Sequence, residues 1–372
     1  MKTILSLLTI AVFAATTTYA TVRQVDNNAT NPGVYTTIQA AQNAASAGDT
    51  LYIHASPTQY AAANIEKQLT IIGEGALPDK KFGFETAIST INFQFNSANT
   101  VSSSGSRLYG CCVGAVNVNT NSLGTVAVNN ITIQRNKIQF ISCNGNSNSI
   151  NAANSGLLVS NNVIMWIGGG VIYNSIIRNN IITGSVGGIG SESIGSWILT
   201  NNVILNYIYS CRSAEISNNI FYVNVDYAFS DNEYCTIINN CIFDYTGVHT
   251  YTTGEIINGT STGSNNLLNV DPQFENADVN IYSYSYTYPT EEIAMANFRL
   301  QAGSPCLTAG SDGLELGMYG GLVPFFEGIP NDSRFRYFPM PNIPAVLDIT
   351  IFNSTVLPDG ILNVGFISRK QN

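Results

Sequence analysis

The stretches Ile177-Arg178-Asn179-Asn180-Ile181-Ile182 and Leu199-Thr200-Asn201-Asn202-Val203-Ile204 decide the fold. Each runs aliphatic, any residue, Asn, Asn, then two aliphatics. The same phrase surrounds Asn162, Asn219, Asn240 and, more weakly, Asn266, and a version with Arg135 in the first Asn position surrounds Asn136. The second Asn thus falls at 136, 162, 180, 202, 219, 240 and 266, an interval of about 22 residues that is too short for a pair of packed helices. Its β-branched neighbours favour short strands. Three residues before that Asn stand Ile133, Val159, Ile177, Leu199, Ile216 and Ile237; two after it stand Ile138, Ile164, Ile182, Ile204, Phe221 and Ile242. Both positions require a dry interior, so each unit is one coil of a solenoid whose strands stack about 4.8 Å apart in parallel sheets. Extra residues in the longer intervals loop outward without disturbing the stack.

Strand alternation points the first Asn of each pair inward, which predicts a buried amide ladder of Asn161, Asn179, Asn201, Asn218 and Asn239. The second Asn is then the bend residue, where Asn tolerates a left-handed backbone. Positions one and three after the corner point outward, yet they read Val163 and Met165, Ile181 and Thr183, Val203 and Leu205, Ile220 and Tyr222, Cys241 and Phe243. A sheet that is apolar on both faces is covered in the folded chain, and the 270–345 region is the expected cover.

Composition sets the boundaries of this reading. The chain has 372 residues, 45% hydrophobic and only 10% charged, where about 25% charged is ordinary. Its net charge of -9 leaves no cationic stripe for phosphates, so nucleic acid is not an expected partner. Residues 1–20 have the form of a secretory signal peptide: Lys2, an apolar run from Ile4 to Ala15, and Thr18-Tyr19-Ala20 before the cut. That run falls short of the roughly 18 to 20 residues that span a bilayer, and no later segment reaches that length. The expectation is a secreted or cell-surface monomer. The seven cysteines, at 111, 112, 143, 211, 235, 241 and 306, match neither a zinc nor a redox CxxC pattern; they are expected as small buried residues, with room for one or two bridges whose pairing stays open.

A solenoid needs plugs at its ends. Thr36 or Thr37 caps a short helix through Ile38, Ala41 and Ala45 that stops at Gly48, followed by strands at Thr50–His54 and Leu69–Ile72. Downstream come Asn269-Val270-Asp271-Pro272-Gln273-Phe274, Phe298-Arg299-Leu300-Gln301-Ala302-Gly303-Ser304-Pro305-Cys306 and Gly317-Met318-Tyr319-Gly320-Gly321. With the opening Thr37-Ile38-Gln39 to Gly48-Asp49-Thr50-Leu51-Tyr52-Ile53 phrase, these resemble bacterial secreted proteins of the pectate-lyase-like superfamily. The resemblance, spanning roughly 22–325, implies an all-β, right-handed parallel β-helix with an N-terminal capping helix, and a polysaccharide ligand along its side. Residues 21–325 are read as the β-helix with its caps. Residues 326–372 form a Pro-rich linker and a hairpin tail, with strands at Val346–Phe352 and Ile361–Ile367 around Pro358-Asp359-Gly360.

Lyases on this fold need a base with calcium-binding carboxylates, and hydrolases need paired carboxylates. The densest acidic cluster is Asp226, Asp231, Glu233 and Asp244, with Arg212 one coil earlier; Asp226 and Asp244 are the candidate calcium ligands. No cofactor is required by the sequence. The R-x-P-x-x-R phrase of pectate lyases and the N-T-D, D-D and G-H phrases of polygalacturonases are absent. His54 and His249 stand far apart and read as structural. Tyr282, Tyr284, Tyr286 and Tyr288 share one edge of an extended segment and are candidates to stack on sugar rings. The leading expectation is a polysaccharide-binding protein. A calcium-dependent polysaccharide lyase, ahead of a glycoside hydrolase, is the first alternative, and an adhesive or structural surface protein is the second.

Overall fold

The computed structural model describes residues 20–28, 34–75, 85–147, 149–277, 297–321 and 324, with the backbone of 345–351 and 364–369. The signal segment and the four tyrosines from 282 to 288 lie outside the described residues. The chain is a right-handed parallel β-helix. One sheet carries eleven strands from Val22–Val25 to Thr262–Ser264, and a second carries thirteen from Ala63–Ile65 to Leu267–Leu268. Every neighbouring pair within them is parallel and in register. Ile133, Val159, Ile177 and Leu199 stand one above the next in the first sheet, as do Ile138, Ile164, Ile182 and Ile204 in the second. All eight are fully buried. Early coils cross the second sheet as single strands, such as Lys137–Cys143 and Val163–Gly170; later coils break there, as at Ile181–Ile182 and Val186–Ile189.

The amide ladder is present, but the two asparagines exchange roles. Asn136, Asn162, Asn180, Asn202, Asn219, Asn240 and Asn266 form it, each side-chain N–H donating to the next side-chain oxygen at 2.9–3.2 Å. The same oxygen also accepts the backbone N–H of the preceding rung, as at Asn162 to Asn180, 2.9 Å. The predicted ladder residues Asn161, Asn179, Asn201, Asn218 and Asn239 instead take the left-handed backbone, with φ between 51° and 58°. Alternation holds only along an unbroken strand. A left-handed residue turns the chain, so its own side chain swings outward and the following one turns in.

Those outward amides pin the cover. Asn179 donates to the carbonyls of Met318 and Gly320 at 2.9 and 3.0 Å, Asn239 donates to Ala309 at 2.9 Å, and Asn218 exchanges bonds with Ser311. The row Val163, Ile181, Val203, Ile220 and Cys241 packs beneath Phe274, Phe298, Cys306, Leu316 and Met318 as a second apolar core. The apolar outer row is therefore closed by the chain's own C-terminal segment. Gly320 is obligatory there, since a Cβ would lie 1.8 Å from the Glu315 carbonyl and 2.7 Å from the Asn201 amide.

Both ends of the inner core are plugged. At the first, Thr37 caps the helix Ile38–Ala44 by accepting from the Ala40 N–H, and Ile38 and Ala41 are buried over the coil opening. At the other, Tyr251 and Ile256 are buried against the last coils. All seven cysteines are buried. The tail strands Ala345–Ile351 and Val364–Arg369 pair antiparallel, as the hairpin reading requires.

Candidate functional site

The acidic cluster divides into two unrelated settings. Arg212 gathers Asp231 and Glu233: its guanidinium lies 3.4 Å from one carboxylate and 3.2 Å from the other, and donates to the Asp231 carbonyl at 2.5 Å. All its charge is thereby engaged on the rim between coils. Asp244 is 4% exposed and belongs to the end plug. Its two oxygens accept from the Thr246 N–H and hydroxyl and from the Val248 and His249 N–H groups, at 2.6–2.9 Å. Burial alone would raise its pKa; these bonds outweigh that and hold the carboxyl below its ordinary range. A carboxylate saturated by its own loop does not fit a calcium ligand. Asp226 is exposed and shares no hydrogen bond with Asp244. Among the described residues no three His, Cys, Asp or Glu side chains converge to hold a metal ion. His54 is paired with Glu74 at 3.0 Å, and His249 packs edge-on against Tyr251.

A different feature dominates the open flank of the second sheet. Phe140 and Trp166 are register partners on neighbouring coils, their rings edge to face with centroids 6.2 Å apart. Phe140 is 37% exposed, and Trp166 is partly exposed. The Trp166 six-membered ring lies on Gly168, where a Cβ would meet it at 2.3 Å. One coil further, Gly187 pairs with Gly168, and the Tyr209 ring of the next coil lies on it at the same distance. Tyr207 tilts against Tyr209 at 5.5 Å. Glycines thus let aromatic rings lie along the sheet instead of standing off it. Beside the Phe140 and Trp166 rings opens a cleft of about 370 Å³, lined by these two and by Met165, Gly184, Ser185 and Asn206. None of these is charged. The rings span four successive coils, about 14 Å at ~4.8 Å per step, which is the length of an oligosaccharide rather than of one sugar.

This face carries no carboxylate, so an acidic cluster in the sequence does not point to it. The signal in the sequence was the alternation of aromatic residues with Gly168-Gly169-Gly170 and Gly187-Gly188 after successive corners.

The geometry defines the class: a parallel β-helix with a self-covered flank and an open aromatic one. Two solved structures are similar in architecture. Pectate lyase Pel9A is 14% identical, covering 80% of this chain and 95% of its own, with a TM-score of 0.38. A pectin methylesterase from Aspergillus niger is 16% identical, covering 65% and 85%, with a TM-score of 0.25. No family model matches the chain, and no curated protein does. The likeness is one of fold alone, and the β-helix rests on the strand pairing itself. Among the described residues no helix is long and apolar enough to cross a membrane.

Proposed function

We propose that this is a secreted polysaccharide-binding β-helix that holds an uncharged glycan against the Phe140, Trp166 and Tyr209 flank. The observation that carries the reading is the Trp166 ring laid along the sheet over Gly168 at the wall of an open cleft. Pyranose rings present flat C–H faces to aromatic rings, and flanking amides and hydroxyls fix orientation. Asn206 and Ser185 supply those polar groups. A polyuronate would need cations, and the lining has none; the net charge of -9 would repel it. The apolar run and small-residue site in residues 1–20 support export. Binding rather than catalysis is favoured because Arg212 is engaged by Asp231 and Glu233, and Asp244 by its own loop.

The chain carries its own reporter. Of its two tryptophans, Trp197 is fully buried and donates to the Arg212 carbonyl, so only Trp166 can meet a ligand. Titration with soluble neutral glycans should shift and quench Trp166 emission, and Trp166→Ala should abolish retention in gels containing the same polymer. Polygalacturonate should do neither. Absence of any response to a panel of neutral and acidic polymers would overturn the proposal.

A further inference from the structure

Five of the seven cysteines offer no good route to a bridge. Cys111, Cys143, Cys211 and Cys235 point into the inner core, and Cys111 and Cys112 are chain neighbours, poorly placed to join. Cys211 and Cys235 lie one coil apart, but their thiols turn toward carbonyls, Cys235 to that of Cys211 at 3.5 Å and Cys211 to that of Tyr209 at 3.6 Å. Cys241 and Cys306 differ. They come from distant parts of the chain, one on the outer row of the solenoid and one on the cover, and both are fully buried in the second core. The two thiols lie within interaction range of each other in that core.

Both backbones are held in place around them. The Asn239 amide reaches the Ala309 carbonyl at 2.9 Å, and the Cys306 N–H donates to the Ser304 hydroxyl at 3.1 Å. That hydroxyl in turn donates to the Pro272 carbonyl at 2.6 Å. The Cys241 thiol also touches the Val270 carbonyl at 3.2 Å, where the cover begins. We infer that Cys241 and Cys306 are a disulfide site that locks the C-terminal cover onto the solenoid. The oxidant is a small-molecule or protein disulfide of the compartment where the chain folds. One cysteine thiolate attacks a donor sulfur and releases one donor thiolate, leaving a mixed disulfide. The second thiolate attacks the protein sulfur of that mixed disulfide and expels the other donor thiolate. Two electrons pass to the donor, and the two cysteine protons end on the released thiols. Because both sulfurs are sealed in the closed state, the exchange precedes final closure of the cover.

The test is oxidative refolding of the full chain with glutathione disulfide, then denaturation, alkylation and peptide mapping. All but two of the seven cysteines should alkylate, and the linked peptides should contain Cys241 and Cys306. Cys211→Ser should keep that link, and Cys306→Ser should lose it without forming another. Proteolytic release of the cover should be slower in the oxidised than in the reduced wild type, on the order of tenfold. Seven alkylated cysteines after complete oxidative refolding, or a link through another pair, would sink the inference. The oxidised-against-reduced comparison decides the matter even where Cys306→Ser fails to fold.

Discussion

The strand Val163–Gly170 crosses two flanks of one solenoid that treat apolar side chains in opposite ways. At its start Val163 lies beneath the cover, 5% exposed, in a core shared with Leu316 and Met318. Three residues on, Trp166 lies on an open face with Phe140. On the covered flank the side chains are aliphatic and stand off the sheet, so another layer of chain must seal them from water. On the open flank Trp166 and Tyr209 lie on Gly168 and Gly187, so the sheet itself shields one face of each of these rings and leaves the other available. A buried surface and a presented surface thus differ less in hydrophobicity than in whether glycine lies underneath.

Four substitutions test that contrast, and the largest effect belongs to the ladder that both flanks share. Asn180→Ala orphans the Asn162 N–H and the carbonyls of Val159 and Arg178 in the dry interior, so a loss of about 3–5 kcal/mol is expected in urea unfolding. Asn179→Ala, one residue earlier, should cost only about 1 kcal/mol, since it frees two cover carbonyls at the margin. Equal losses for the two would mean the exchanged roles are wrong. Met318→Asp attacks the covered flank alone. Its carboxylate would enter a site 1% exposed, costing about 3 kcal/mol and releasing the cover to dye binding and protease. If the variant unfolds with an unchanged midpoint, the cover is not closed over Val203 and Ile220.

Trp166→Ala tests the open flank. Stability should fall by less than about 1 kcal/mol, because one face of the ring already meets water, while glycan binding is lost. A destabilisation as large as that of Met318→Asp would identify Trp166 as a packing residue and remove the functional distinction between the flanks.

The coil was legible because its inward aliphatic residues obey a simple rule: a residue facing a dry interior must be apolar in every repeat. The cover was legible for a related reason, since a sheet apolar on both sides implies a second layer. The asparagine roles were not, because Asn161 and Asn162 are chemically identical and only the left-handed corner decides which turns in. The aromatic flank was hidden differently. Trp166 and Tyr209 are far apart in sequence, and their significance depends on Gly168 and Gly187, whose value as ring platforms appears only when coils are stacked. The setting of Asp244 was hidden too, because it serves a loop that begins only two residues later, at Thr246.

The first coils use a third arrangement, with ions where the later coils use a cover or rings. Glu74 accepts from the His54 ring nitrogen at 3.0 Å, the Ala55 N–H at 2.8 Å and the Tyr52 hydroxyl at 3.1 Å. The Glu74 hydrogen bond outweighs desolvation and raises the His54 pKa; for Glu74, burial pushes upward but the bonds prevail and lower it. A lowered carboxyl pKa contributes stability above the unfolded value of about 4.3, and that share is lost as pH falls through the folded one. A raised imidazole pKa contributes fully below about 6.5, and that share is lost as pH rises through the folded value. Both are present together between about pH 4.5 and 6.5, so the stability difference between wild type and Glu74→Gln should peak there and shrink on either side. The pair is partly exposed, at 31% and 13%, so the peak should stay near or below about 1 kcal/mol. A difference that is flat across that range would show that hydrogen-bond geometry, not charge, holds the first coils, and would leave them no different in kind from the covered flank.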